Sequence, residues 1–273
     1  MPEGEVTFRS EAHAVPAFLG NKSVISMDEC DSCNERFGHG CEDDLSKWSL
    51  LLRAASKTPG RKRRPKFKAK GVLEVSTQED VLNLQFHSDG LPLKEALREG
   101  GPQKLELPEN LSGQPYVPIE AAKALIKSAC SVCPKEYLLQ CQEAILWLLG
   151  KAPYDFSYFP ILFSFTPGPI DNGVGEVILL RRVSEIAAPY FWGMIYSGNI
   201  RLQFFVPFCP ADSSWFQISR ETTLQMMHYP SKFPLGWPFG EVKYGMMNWA
   251  GKDTVKKAAS VSFYVERTVE EPI

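Results

Sequence analysis

Between residues 57 and 70 the chain reads KTPGRKRRPKFKAK. Eight of these fourteen positions are basic: Lys57, Arg61, Lys62, Arg63, Arg64, Lys66, Lys68 and Lys70. Like charges this crowded repel one another and resist burial, and Pro59, Gly60 and Pro65 interrupt helix and strand alike. The run therefore reads as an exposed basic linker. It constrains the fold more than any other feature, because it divides the chain into residues 1–56 and residues 71–273. A length of 273 residues suits a small module joined to a larger domain.

In the larger part, VLEVSTQEDVLNLQFHS alternates loosely and KLELP follows; both predict strands. Residues 117–150, VPIEAAKALIKSACSVCPKEYLLQCQEAILWLLG, predict two helices. Ile119, Ala122, Ile126 and Ala129 share one face of the first; Leu138, Cys141, Ile145 and Leu148 share one face of the second. Pro134 suits a first helical turn and Gly150 a terminus. GEVILLRR, YFWGMIYSGNIRLQFFVPF and VSFYVERT predict further strands, with SGN as a hairpin turn. The larger part is thus expected to be an α+β domain. Arginines beside aromatics in these strands could stack on bases, but a sheet face against a core accounts for the same pattern.

Composition removes several function classes. A hydrophobic share of 44% and a charged share of 23% belong to a soluble globular protein. The net charge of −2 carries no nucleic-acid signal for the whole molecule, so any such contact falls to the local basic run. No apolar run reaches the roughly 18 residues of a membrane span. MPEGEVTFRSEAH lacks the basic start and apolar core of a secretory signal. Seven cysteines, an odd number spread along the chain, argue for a reducing cytoplasm, where cysteines pack or bind metal. Cys130, Cys133 and Cys141 fall on or beside apolar helix faces and read as packed thiols.

The chemistry-bearing residues concentrate in the first 56. EVTF and SVISM predict short strands and AHAVPAFLGN a turn-rich loop. CNERFGHGCEDDLSKWSLLLRAAS reads as helical at both ends, interrupted by Gly38 and Gly40, with Leu45, Trp48, Leu51 and Leu52 as an apolar face. Along this stretch stand His13, then Cys30-x-x-Cys33-Asn34, then Glu42. A histidine at a strand end, a second strand and a helix opening with asparagine resemble the ββα-metal site of HNH endonucleases. The similarity is to the branch whose pattern runs H…P..LG…CxxCN..FG…E, and it covers about the first fifty residues. It extends less specifically to YVPIEAAKALIKSACSVCPKEYLLQCQEAILWLLG, where that branch carries a Tyr-Ile-Pro start and spaced lysines.

The resemblance implies a small N-terminal ββα-metal nuclease module and a larger C-terminal α+β domain in an accessory role. It implies metal-dependent hydrolysis of phosphodiester bonds, with DNA as partner and substrate. His13 would be the general base and Asn34 a ligand of one divalent cation, magnesium by the hardness of its donors. In the family an acidic residue or histidine directly precedes the base; here that residue is Ala12, and the carboxylate is Glu11. Side chains two apart on a strand share a face, so Glu11 could still reach the ion, as could Asp28 or Glu42. Cys30 and Cys33 match half of a structural zinc site whose other half, an upstream Cys-x-x-Cys, is missing. Three readings stand for them: zinc completed by His39 and Cys41, reduced packing thiols, or a start that lacks the upstream pair. Arg61, Lys62, Arg63 and Arg64 would contact phosphates without reading sequence. An accessory domain beside a small nuclease suggests defence against foreign DNA, by analogy. The alternative is a non-catalytic nucleic-acid-binding or interaction protein that retains a degenerate HNH scaffold. Ala12 and the missing cysteine pair favour it. His39, His87 and His228 have no such context and read as structural or surface residues.

Overall fold

The computed structural model describes residues 6–56, 64–78, 81–95, 97, 103–108, 111–166, 175–183, 188–212, 242–259 and 262–265. Strands β1 (Ala12–His13) and β2 (Ile25–Ser26) pair antiparallel, with His13 opposite Ile25. The first strand thus falls on the histidine itself, and residues 6–8, where EVTF predicts one, form none. Helices α1 (Asp31–His39), α2 (Cys41–Trp48) and α3 (Leu50–Ala55) follow as one broken helical run. Gly40 makes the first break: a Cβ there would stand 2.9 Å from the Arg36 carbonyl oxygen. Gly38, the other expected interruption, lies inside α1 with open space around it.

Strands β3 (Lys66–Ala69), β4 (Leu73–Gln78) and β5 (Val81–Phe86) form an antiparallel three-stranded sheet in that order. The linker reading of residues 57–70 is corrected at this end. Lys66 and Lys68 are exposed while Phe67 and Ala69 are buried, so KFKA is a strand whose alternation hides its apolar half. That inner face meets α3, and the Thr77 hydroxyl donates to the Ala54 carbonyl at 2.7 Å. Arg61, Lys62 and Arg63 lie outside the described residues; Arg64 is exposed just before β3.

Helix α4 (Leu91–Glu95) and strands β6 (Gln103–Glu106) and β7 (Ser112–Tyr116) lead to helices α5 (Pro118–Ser131) and α6 (Leu138–Leu148). Pro118 opens α5 where no intrahelical N–H is needed. Pro134 precedes a single 3-10 turn, one turn earlier than the start of α6. Gly150 takes φ +64° beyond the end of α6, the left-handed position that glycine fills at least cost. The remaining strands are β8 (Pro160–Phe165), β9 (Glu176–Arg181), β10 (Phe191–Ser197), β11 (Ile200–Phe205), β12 (Lys243–Asn248), β13 (Val255–Lys257) and β14 (Ser262–Val265). Five of them make an antiparallel sheet in the order β12-β8-β11-β10-β9, while β13 pairs with β7 and β14 with β6. The expected hairpin forms: Ser197 pairs with Ile200 across Gly198, at φ +53°, and Asn199. Arginines of this sheet are engaged within the chain, Arg181 over the Tyr137 ring, Arg182 on Asp212 and Arg201 over Tyr196.

Helix α5 differs from the one-faced helix that its periodicity predicts. Besides Ile119, Ala122, Ile126 and Ala129, it buries Ala121, Ala124, Leu125, Lys127 and Ser128. The reason is its position: α2 packs along it, as do α6 and strands β9, β10 and β11, leaving little of its circumference for water. Its many alanines let these neighbours approach closely. Trp48 at the end of α2 meets Trp249 edge-on at 4.9 Å and Phe163 at 5.9 Å between ring centroids. One hydrophobic core accordingly runs from Val15 through Trp48 and α5 to Ala259. The basic run separates two parts of the sequence, and the packing joins them. The fold is mixed α+β, and among the described residues no helix is long and apolar enough to cross a membrane.

Candidate active site

The loop between β1 and β2 is stapled by a residue that no motif singled out. Asn21, fully buried, donates from Nδ2 to the carbonyls of Val15 (3.0 Å) and Val24 (3.1 Å). Its Oδ1 accepts from the N–H groups of Ser23 (3.2 Å) and Val24 (3.0 Å). Asparagine after glycine at the end of LGN is the available sequence signal, since its side chain mimics backbone in turns. The segment before β1 is fastened in a comparable way by Asp31 in the first turn of α1. Its carboxylate accepts from the Ser10 and Thr7 hydroxyls and from the backbone N–H groups of Ser10 (2.8 Å) and Arg9 (2.9 Å). The Ser10 and Thr7 hydrogen bonds hold the Asp31 carboxyl well below the ordinary range. Asn21 thus holds the β1–β2 loop in shape, and Asp31 ties the segment before β1 to α1.

His13 sits at the end of β1 and is half-buried; its Nδ1 is buried with no hydrogen-bond partner. Exposure alternates around it: Glu11 exposed, Ala12 1% exposed, His13 between. Ala12 thus points into the core, where a carboxylate would be costly, and Glu11 has the open side. Asn34 stands in the first turn of α1, half-buried, its backbone N–H on the Cys30 carbonyl at 2.9 Å. The side chains of Glu11 and Asn34 make no hydrogen bond or ion pair among the described residues.

The residue that gathers the expected site is Lys127 of α5, 2% exposed. Its ammonium donates to the His13 carbonyl at 2.6 Å and lies 3.0 Å from both Glu42 Oε1 and Glu29 Oε2. It also lies 6.0 Å from the centre of the Phe37 ring on α1. Burial alone would push the lysine down, but Glu42 and Glu29 outweigh it and the net shift is upward. Glu29, between β2 and α1, is itself pushed up by burial, with Lys127 offsetting only part; its Oε1 is buried and unpartnered. Glu42 was expected as a possible metal ligand. In the structure its Oε1 is paired with the Lys127 ammonium, and the side chain keeps 17% of its surface exposed. Lys127 is marked in the sequence only as one of the spaced lysines of the wider resemblance, and Glu29 carries no sequence signal.

Among the described residues no group of three or more His, Cys, Asp and Glu side chains is placed to hold a metal ion. The donors expected for a magnesium ion are fewer and of another kind: the Asn34 amide oxygen and the Glu11 carboxylate. Both are hard oxygen donors with no hydrogen bond or ion pair among the described residues, Glu11 exposed and Asn34 half-buried, and their chemistry suits an ion that keeps much of its water.

Cys30 caps α1 and is buried, Cys33 is half-buried, and both are free thiols. Cys30 Sγ lies 3.2 Å from Ser32 Oγ, and bonding to Ser32 and Cys33 holds it below its ordinary value. Burial, with the neighbouring Cys30, pushes Cys33 up to about 11. Cys41 is in the core with its thiol toward the Phe37 carbonyl, pushed up to about 12 by burial, and His39 is exposed. Cys130, Cys133 and Cys141 are buried, together with Cys209. No family model matches the chain, and neither a curated protein nor a solved structure matches it.

Proposed function

We propose that the chain is a metal-dependent endonuclease of the HNH type, hydrolysing phosphodiester bonds in DNA. The observation that carries this reading is the β1–β2–α1 order with His13 closing the first strand and Asn34 in the first turn of the helix. His13 accepts a proton from the attacking water; a ring whose Nδ1 is sealed from solvent has one nitrogen left for that exchange. Asn34 and Glu11 hold a divalent cation, most simply magnesium. When bound, that ion supplies positive charge to the phosphorane and the leaving oxygen. Arg61, Lys62, Arg63 and Arg64 engage the DNA backbone, upstream of a strand whose lysines also face outward. Residues 71–273 act as an accessory domain, and the protein works in the cytoplasm, in defence against foreign DNA.

The test is cleavage of supercoiled plasmid with and without added magnesium. Wild-type protein nicks or linearises the plasmid only with the cation, and His13→Ala abolishes cleavage while keeping its circular dichroism spectrum and DNA affinity. Undiminished cleavage by His13→Ala removes the base assignment. No cleavage by wild type with any divalent cation leaves the non-catalytic scaffold, which the engagement of Glu42 by Lys127 favours.

A further inference from the structure

Four parts of the candidate site converge on one buried ammonium. Lys127 reaches β1 through the His13 carbonyl, the β2–α1 connection through Glu29, α1 through the Phe37 ring, and α2 through Glu42. The lysine belongs to none of these elements. It comes from α5, separated from His13 by 114 positions and from Glu42 by 85. A charge this buried is tolerated only when its three donors are occupied, and His13, Glu29 and Glu42 supply one acceptor each.

We infer that Lys127 is a positioning residue for His13, a strap by which α5 fixes the ribbon carrying the general base. The inference rests on the nuclease reading for its catalytic consequence and on the geometry alone for its mechanical one. Strand β1 is only two residues long and pairs with a strand equally short. Ribbons of that length have little stability of their own. Asn21 and Asp31 secure the two flanks of the ribbon, and the His13 backbone itself is gripped by the Lys127 hydrogen bond at 2.6 Å. Loosening it lets the imidazole wander from the reacting phosphate, and a displacement of about 1 Å can cost roughly a hundredfold in rate. Lys127, Glu29 and Glu42 are not part of the basic run proposed to hold DNA, so DNA affinity is spared.

Lys127→Met alone strands two buried carboxylates and risks unfolding. The decisive variant therefore carries Lys127→Met, Glu29→Gln and Glu42→Gln together, which removes all three charges at once. Buried charge clusters replaced by neutral groups of similar shape cost little, so its melting temperature stays within about 5 °C of wild type. The expected result is a fall in kcat of roughly 10- to 100-fold with KM for DNA unchanged, and faster amide exchange in the peptide covering residues 12–26 but not in α6. Unchanged kcat overturns the positioning role even if exchange quickens. If wild type cleaves nothing, the nuclease reading has failed, and exchange alone judges the strap: faster exchange upholds it and identical exchange overturns it.

Discussion

Replacing Trp48 by alanine tests whether the first 56 residues stand on a core of their own. Trp48 is 3% exposed and packs edge-on against Trp249 and Phe163, both from the part of the chain beyond the basic run. Truncating a buried tryptophan costs about 3–5 kcal/mol, and the two ring contacts, each worth roughly 0.5–1.5 kcal/mol beyond area, put this site toward the upper end. Against a total stability of about 5–15 kcal/mol, the variant still folds. With a urea slope of roughly 3 kcal/mol/M, its midpoint falls by about 1–1.7 M. Circular dichroism and calorimetry should both report one transition, shifted as a whole, because the core is continuous from Val15 to Ala259. Two transitions, with the larger unmoved by the substitution, would refute the shared core and restore an independent N-terminal module.

Two further outcomes are expected. Asp31 has a depressed carboxyl, so the stability it contributes is present above its unfolded value near 3.9 and is lost as pH falls below it. Thermal unfolding followed from pH 7 to pH 2 should therefore show the wild-type advantage over Asp31→Asn shrinking below about pH 4; a difference independent of pH would contradict this. Asn34→Ala and Glu11→Ala should each lose plasmid cleavage that millimolar magnesium partly restores, because water can take the vacated ligand position; a loss indifferent to magnesium would remove them as ligands.

What could be read from the sequence was local, and what could not was long-range. Pro118 and the 3.6-residue period set the helices at 118–148, and SGN specified its hairpin, because each depends on neighbours within a few positions. The placement of His13 and Asn34 on a strand and a helix was legible for the same reason. Phe67 and Ala69 were hidden by the lysines between them: a charge count treats KFKA as solvated, whereas a strand segregates the two kinds of side chain onto opposite faces. The role of Lys127 was unreadable, although it is one of the spaced lysines of the wider resemblance. In its helix it is one more polar residue, and only the arrival of α2 and the β2–α1 connection turns it into the centre of an ion cluster. The pairing of Glu42 was unreadable on the same account, since its partner is not in its own segment.

The pairing of β7 with β13 has a consequence for how the protein is made. Tyr116, two residues before α5, pairs with Val255, and the Ile119 N–H in its first turn donates to the Gly251 carbonyl at 3.0 Å. A ribosome adding about 5–20 residues per second delivers those partners roughly 6–25 s after α5 itself has been synthesised. Through that interval the N-terminal ribbon and its histidine are already out of the tunnel, while the helix that straps them lacks its own anchor. A nascent chain would thus carry the ribbon and its histidine before the helix beneath them is anchored, and the arrangement would be completed only when β13 arrives.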